Sequence, residues 1–218
     1  MPESICAVLF DYGLVLSGPP HAEAWAQMLQ ITGLPEQSFS AAYWAPRHDY
    51  DRGHLNGRGY WQAVGAHASL ALTPGQIDAL IQADTALWTQ PNLAMVDWVH
   101  RLQEAGTPTG ILSNLGDEMM HGVLQAFPWM SRFQHCIWSH TLRMAKPQPE
   151  IYAEAARGLK LPPACILFID DREDNIAGAL AAGMLAIRYP NHATFLQEIQ
   201  ARGLQELWET GRLPTPAH

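Results

Sequence analysis

The chain has 218 residues, 48% of them hydrophobic, enough to bury one good core and still carry a smaller module. A formal net charge of -8, with Lys146 and Lys160 the only lysines and no basic stripe, excludes a binder of nucleic-acid backbone. No apolar run is long enough to span a bilayer, and the apolar N-terminus carries Asp11 and no basic leader, so it is not read as a signal peptide and a cytoplasmic protein is expected.

Residues 5–10 are an unbroken apolar run ending at Asp11, with Gly13 two residues later. A short run of this kind reads as a strand buried on both faces, as in parallel sheets, and Asp11 then falls at the strand end where such sheets place ligands. Ser17-Gly18-Pro19-Pro20 is a breaker cluster and marks a linker. From His21 to Thr89 the patterns are helical. Helices are predicted over 21–32 with Gly33 as stop, over 35–45, over 57–69, and from the capping box Thr73-Pro74-Gly75-Gln76 towards Trp88. The polar stretch 47–53 reads as a loop. Trp25, Tyr43, Trp61 and Trp88, at helical spacing, read as the core of this helical segment.

Asn92 then caps a predicted helix over 93–105, and a strand over 107–112 delivers Ser113 and Asn114 to its C-terminal end. A helix over 117–126, a strand over 136–139, a proline-flanked turn at Lys146 and a helix over 150–158 follow. A strand over 164–169 ends at Asp170-Asp171, a helix runs through 176–183, a last strand covers 184–188, and 213–218 read as a loose tail. Strands alternating with helices imply a parallel sheet covered on both faces. Cys6, Cys136 and Cys165 fall in predicted strands without paired spacing and read as buried reduced thiols rather than a disulfide framework or a zinc site.

Four stretches carry a resemblance. These are Phe10-Asp11-Tyr12-Gly13-Leu14-Val15-Leu16, Ile111-Leu112-Ser113-Asn114, Lys146-Pro147-Gln148-Pro149, and Leu167-Phe168-Ile169-Asp170-Asp171-Arg172-Glu173-Asp174-Asn175. In this order they are similar to the four motifs of the haloacid dehalogenase (HAD) superfamily, over nearly the whole chain. The resemblance implies a doubly wound parallel α/β sheet, the Rossmann-like HAD core, over residues 1–16 and 90–218, with a small all-helical cap domain over 17–89. It implies that Asp11 attacks phosphorus to form an aspartyl-phosphate, while the Ser113 hydroxyl, the Asn114 backbone N–H and Lys146 hold the phosphoryl oxygens. It also implies Mg²⁺ held by Asp11, Asp171 and the Gly13 backbone carbonyl, with Asp170 beside or just behind the ion and Asn175 orienting the loop. Charge agrees: three carboxylates crowded in a cleft raise one another's pKa values, and Lys146 alone is too little to balance them.

One position departs from the resemblance. Most phosphatases of the superfamily have a second Asp two residues after the nucleophile, as general acid and base, and here that position is Gly13. The first reading is a HAD-type phosphoric monoester hydrolase that needs Mg²⁺ and acts on a small phosphorylated metabolite, sugar phosphates included. The rivals are a metal-independent 2-haloacid dehalogenase, against which Asp170-Asp171 argue, and a non-catalytic phosphate-binding relative. A phosphonatase needs a cap lysine, and none lies between Ser17 and Gln90. His21, Arg47, His48, Tyr50, Asp51 and Arg52 are the cap's polar candidates to reach substrate, with His21 and Asp51 the candidates to supply the missing proton.

Overall fold

The computed structural model describes residues 5–213, so the expected tail lies, beyond Leu213, outside the described residues. Five parallel strands, β1 (Ala7–Phe10), β2 (Thr109–Ser113), β3 (His135–Trp138), β4 (Ile166–Asp170) and β5 (Leu185–Arg188), form one sheet in the order β3-β2-β1-β4-β5. The winding runs outward from β1 to β3, then reverses across β1 to β4. That reversal opens a crevice at the C-terminal ends of β1 and β4, where sheets of this kind bind ligands. Phe10 pairs with Ile111 on one side and Ile169 on the other, so the residues that follow leave the sheet side by side.

Alternation along the strands builds two cores. Val8, Phe10, Ile111 and Ile169 point to one face, against Trp98, Met119, Phe195 and Leu207. Ala7, Leu9, Leu112 and Phe168 point to the other, against Ile151, Tyr152 and Ala179. The sheet is thus covered on both sides, the doubly wound architecture expected.

The helices follow in chain order. Between β1 and β2 lie α1 (Ala22–Thr32), α2 (Glu36–Trp44), α3 (Arg47–Asp51), α4 (Gly57–His67), α5 (Pro74–Trp88) and α6 (Leu93–Glu104). After β2 come α7 (Asp117–Ala126), α8 (Ser139–Leu142), α9 (Pro149–Leu159), α10 (Glu173–Ala181), α11 (His192–Ala201) and α12 (Gln205–Thr210). No helix among the described residues is long and apolar enough to cross a membrane. Helices α1 to α5 bury a third core of their own, centred on Met28, Phe39, Tyr43, Tyr60, Trp61 and Leu80; Trp25 and Trp88 are only partly buried at its edge. The chain enters and leaves this bundle as a paired ribbon. Ser17 bridges antiparallel to Pro91, Gly18 donates to the Gln90 carbonyl at 2.6 Å, and Asn92 donates to the Leu16 carbonyl at 2.9 Å.

The stretch expected as a polar loop instead contains α3, with Arg47 and Tyr50 buried. The Arg47 guanidinium lies 5.4, 5.5 and 5.7 Å from the ring centres of Tyr43, Tyr50 and Tyr60. It donates to the Tyr43 hydroxyl at 2.7 Å, to Asp51 at 3.1 Å and to Asp84 of α5 at 3.4 Å. A charge survives burial when paired in this way, and composition alone cannot reveal partners that lie outside its own stretch.

Helix α3 is also tied to the sheet side of the molecule. The Leu115 N–H donates to Ser139 Oγ at 2.9 Å, and the Ser139 hydroxyl in turn donates to the Asp51 carbonyl. Gly53, at φ +70°, lies so close to α8 that an added Cβ would stand 2.3 Å from the His140 carbonyl oxygen. Gly53→Ala therefore strains the backbone and forces α3 away from α8, at an expected cost of about 2–4 kcal/mol. A urea midpoint that falls at unchanged slope is the expected result, and an unchanged midpoint contradicts this packing.

Candidate active site

Strand β1 delivers Asp11 into the crevice, where Asp11 Oδ1 accepts the Tyr12 N–H at 2.7 Å. The chain then makes an irregular turn through Tyr12–Leu16, with Leu14 left-handed at φ +56°. Ser17 closes it by accepting the Leu14 N–H at 3.0 Å and donating its own N–H to the Tyr12 carbonyl at 2.8 Å. This turn sets Gly13 and Leu14 in the wall of a cleft of about 460 Å³ that Asp11, Ser113, Asn114, Lys146 and Asp171 also line. The sequence-predicted residues thus meet at one edge of the sheet. Asp170, wholly buried, lies immediately beneath.

Lys146 is the centre of the charge arrangement. Its Nζ lies 2.9 Å from Asp11 Oδ1 and 2.6 Å from Asp170 Oδ2, and its side chain is only 1% exposed. Asp170 also accepts the Arg172 N–H at 2.9 Å and the Asn175 side-chain amide at 3.0 and 3.1 Å. Both oxygens of that carboxylate are hydrogen-bonded. Asp171 is half-buried and turned to the cleft. Ser113 lines the cleft, and its hydroxyl has no partner among the described residues.

These positions have electrostatic consequences. Burial pushes the Asp11 carboxyl up to about 7; Lys146 pulls it back and the neighbouring Asp170 pushes it further up. Asp171 is raised for the same reasons, burial first and the Asp170 charge second. Burial opposes the Lys146 ammonium, but Asp11 and Asp170 outweigh it and hold the amine above its ordinary range. Oxygens of Asp11, Asp170 and Asp171 all lie within 4.8 Å of one another, with one ammonium among three carboxylates. An all-oxygen donor set with excess negative charge fits a hard divalent cation such as Mg²⁺.

Several side-chain roles escaped the sequence. Asn114, singled out for its backbone N–H, uses its side chain to accept the Lys146 N–H at 2.9 Å and donate to the Lys146 carbonyl at 3.0 Å. This reciprocal amide pair fixes the loop that carries the lysine. Trp44 and Arg172 also line the cleft, as does Trp88, which sequence pattern placed wholly in the helical core. No local pattern foreshadows these contacts, because they join segments far apart in the chain. Of the polar candidates, Arg47, His48 and Asp51 reach the cleft. His21, Tyr50 and Arg52 do not: His21 stands ahead of α1, and Tyr50 is stacked on Tyr60 with ring centres 4.6 Å apart.

Comparison with known proteins gives the family and the fold. The family described as haloacid dehalogenase-like hydrolase matches residues 7–183. The chain is 27% identical over 162 residues to (S)-2-haloacid dehalogenase 4A of Burkholderia cepacia, covering 68% of this chain and 69% of that protein. It is 25% identical over 190 residues to validoxylamine A 7'-phosphate phosphatase of Streptomyces hygroscopicus subsp. limoneus, covering 82% and 83%. A HAD family enzyme from Bacteroides thetaiotaomicron, solved with magnesium and inorganic phosphate, shares the fold with a TM-score of 0.71 and 20% identity, over 84% of this chain and 93% of the other.

Proposed function

The chain belongs to the haloacid dehalogenase-like hydrolase family, and from that premise we propose that it is a Mg²⁺-dependent phosphatase of a small phosphorylated metabolite. The observation that carries this reading is the excess of buried negative charge: Asp11, Asp170 and Asp171 surround the single ammonium of Lys146. Such a site accepts a cation and, through it, a phosphate. Without a cation it repels the carboxylate of a 2-haloacid as readily as a phosphate.

In this reading Asp11 Oδ attacks phosphorus, and the leaving oxygen departs towards the helical bundle. Water then cleaves the aspartyl-phosphate. The Ser113 hydroxyl, the Asn114 backbone N–H and Lys146 hold the phosphoryl oxygens as charge develops. Asn114 aids a second time, by holding the Lys146 loop. Asp11, Asp171 and the Gly13 carbonyl would hold Mg²⁺, which supplies charge neutralisation and polarises the phosphoryl group. Asp170 supports them by ordering Lys146 and Asn175. Residues 17–89 act as a cap over the cleft, and a cytoplasmic setting with no nucleic-acid or membrane partner belongs to the same reading.

A panel of phosphomonoesters assayed for phosphate release, with Mg²⁺ and with EDTA, tests the proposal. The dehalogenase reading, favoured by Gly13 and by the Burkholderia relative, predicts halide release from 2-haloacids that survives EDTA. Calorimetric titration adds a residue-level test. Asp171→Ala is expected to weaken Mg²⁺ binding strongly. Asp170→Asn, whose wild-type carboxylate is committed to Lys146, Arg172 and Asn175, is expected to weaken it less. Equal, wild-type affinity in both variants rules the pair out as the cation site.

A further inference from the structure

The turn that places Gly13 in the cleft wall leaves the departing oxygen with no acid from β1, and expelling an alkoxide without one is slow. The opposite wall of the cleft offers a replacement. Helix α3 presents His48 and Asp51 to the cleft, three residues apart and so on one face, four and seven residues beyond Trp44, which lines the same wall. Asp51 is the better held of the two. Its Oδ1 accepts from Arg47 Nε at 3.1 Å, and its carbonyl is anchored through Ser139 to the N–H of Leu115, the residue after Asn114. Its Oδ2 has no partner among the described residues, and the side chain is 19% exposed, on the cleft side. His48 is exposed and its ring makes no hydrogen bond among the described residues, so nothing fixes it.

We infer that Asp51 is the proton donor to the leaving oxygen, taking the role that Gly13 cannot fill. The inference rests on the phosphatase reading. As the Asp11 Oδ–P bond forms and the ester P–O bond breaks, the Asp51 proton passes to the departing oxygen, which leaves as a neutral alcohol. Asp51, now a carboxylate, then takes a proton from the water that attacks phosphorus. The Asp11–phosphorus bond breaks, inorganic phosphate is released, and both carboxyl groups return to their starting states.

The surroundings of Asp51 suit the task. Burial pushes its carboxyl up to about 6, Arg47 pulls it down, and Asp84 of α5 pushes it up again. Two carboxylates share one guanidinium there, which brings the Asp51 carboxyl closer to neutral pH than an ordinary carboxylate, and Asp51 is the member that reaches the cleft. Tyr43, Tyr50 and Tyr60 pack around the same Arg47 guanidinium, and His48 shares the cleft wall with Asp51.

Leaving-group dependence tests the assignment. The probes are p-nitrophenyl phosphate, whose leaving group needs no proton, and 2-phenylethyl phosphate, whose leaving group does. Asp51→Asn is expected to lower kcat/KM for the alkyl ester by about 10²-fold or more and for the aryl ester by less than about 5-fold. A merely structural role, acting through Arg47, lowers both alike and overturns the assignment. So does His48→Gln if it reproduces the selective loss. Gly13 has φ -61° and open space where a Cβ would stand, so Gly13→Asp combined with Asp51→Asn is expected to restore the alkyl ester by about tenfold or more. The wild type supplies an arm that needs no variant: a slope of log kcat/KM against leaving-group pKa as steep as that of the uncatalysed reaction means that no donor acts, and the assignment falls. Absence of phosphate release from both probes in wild type removes the phosphatase reading, and this inference with it.

Discussion

Asp11→Asn is expected to lower turnover by about 10⁴-fold or more while raising the thermal midpoint of the metal-free protein at pH 8. The amide is neither a nucleophile nor a charged ligand, which accounts for the first effect. The second follows from proton linkage. Asp11 has a folded-state pKa raised from 3.8 to about 7, so the folded protein holds this proton more tightly than the unfolded chain does. The stability contributed by that proton is complete below pH 3.8 and is lost as pH rises through about 7. Asn cannot lose a charge-neutral state it always has. The difference in midpoint between variant and wild type should therefore grow between pH 4 and 7 and level off above. Mg²⁺ should shrink it by stabilising the wild type alone. Residual activity above about one per cent contradicts the covalent role, and a difference curve flat in pH contradicts the electrostatic account.

Lys146→Met is expected to be the most destabilising single change in the cleft, at about 3–5 kcal/mol in metal-free protein at pH 8. Methionine keeps the length of the stem and its packing over Phe168, where Nζ now stands 5.4 Å from the ring centre. It removes the one positive partner of Asp11 and Asp170, leaving two buried carboxylates with a third beside them. Protonation relieves that repulsion, so the loss should be smaller at pH 5 than at pH 8. Urea unfolding at both pH values measures it, and an equal loss at both means that packing rather than charge holds Lys146 in place. Turnover is expected to fall by about 10²–10³-fold as well, because the phosphoryl oxygens lose a fixed donor.

The sheet was legible because each central strand is a short apolar run that stops at a polar residue. Val8 to Phe10 stop at Asp11, Ile111 and Leu112 at Ser113, and Leu167 to Ile169 at Asp170. Once such runs alternate with helices, parallel packing brings their ends to one edge, and the polar residues at those ends become neighbours. The same logic fails for groups whose partners are distant. Arg47 reads as part of a polar loop until Asp84 of α5, Tyr43 of α2 and Tyr60 of α4 close around it together with Tyr50 of its own helix. Asn114 counts for its backbone N–H alone until the Lys146 backbone arrives across the cleft to meet its side chain. His21 is a polar candidate next to the linker, but the course of the chain carries it away from the cleft. Periodicity reports which face of an element is buried; it carries no information about which residue from another element buries it.

The paired ribbon at Ser17 and Pro91 bears on how the chain finds its fold. Strands β1 and β2 are neighbours, with Val8 opposite Thr109, yet a whole helical bundle separates them along the chain. Pairing them directly from a disordered chain would carry the closure entropy of a very long loop. The bundle has its own apolar core and brings Leu16 and Asn92 within hydrogen-bond reach, so once it has condensed only an ordinary helical crossover through α6 separates the two parallel strands. An early phase that protects amides of α1 and α5, followed by a slower one that protects β1 and β2, is the order of events that this topology favours.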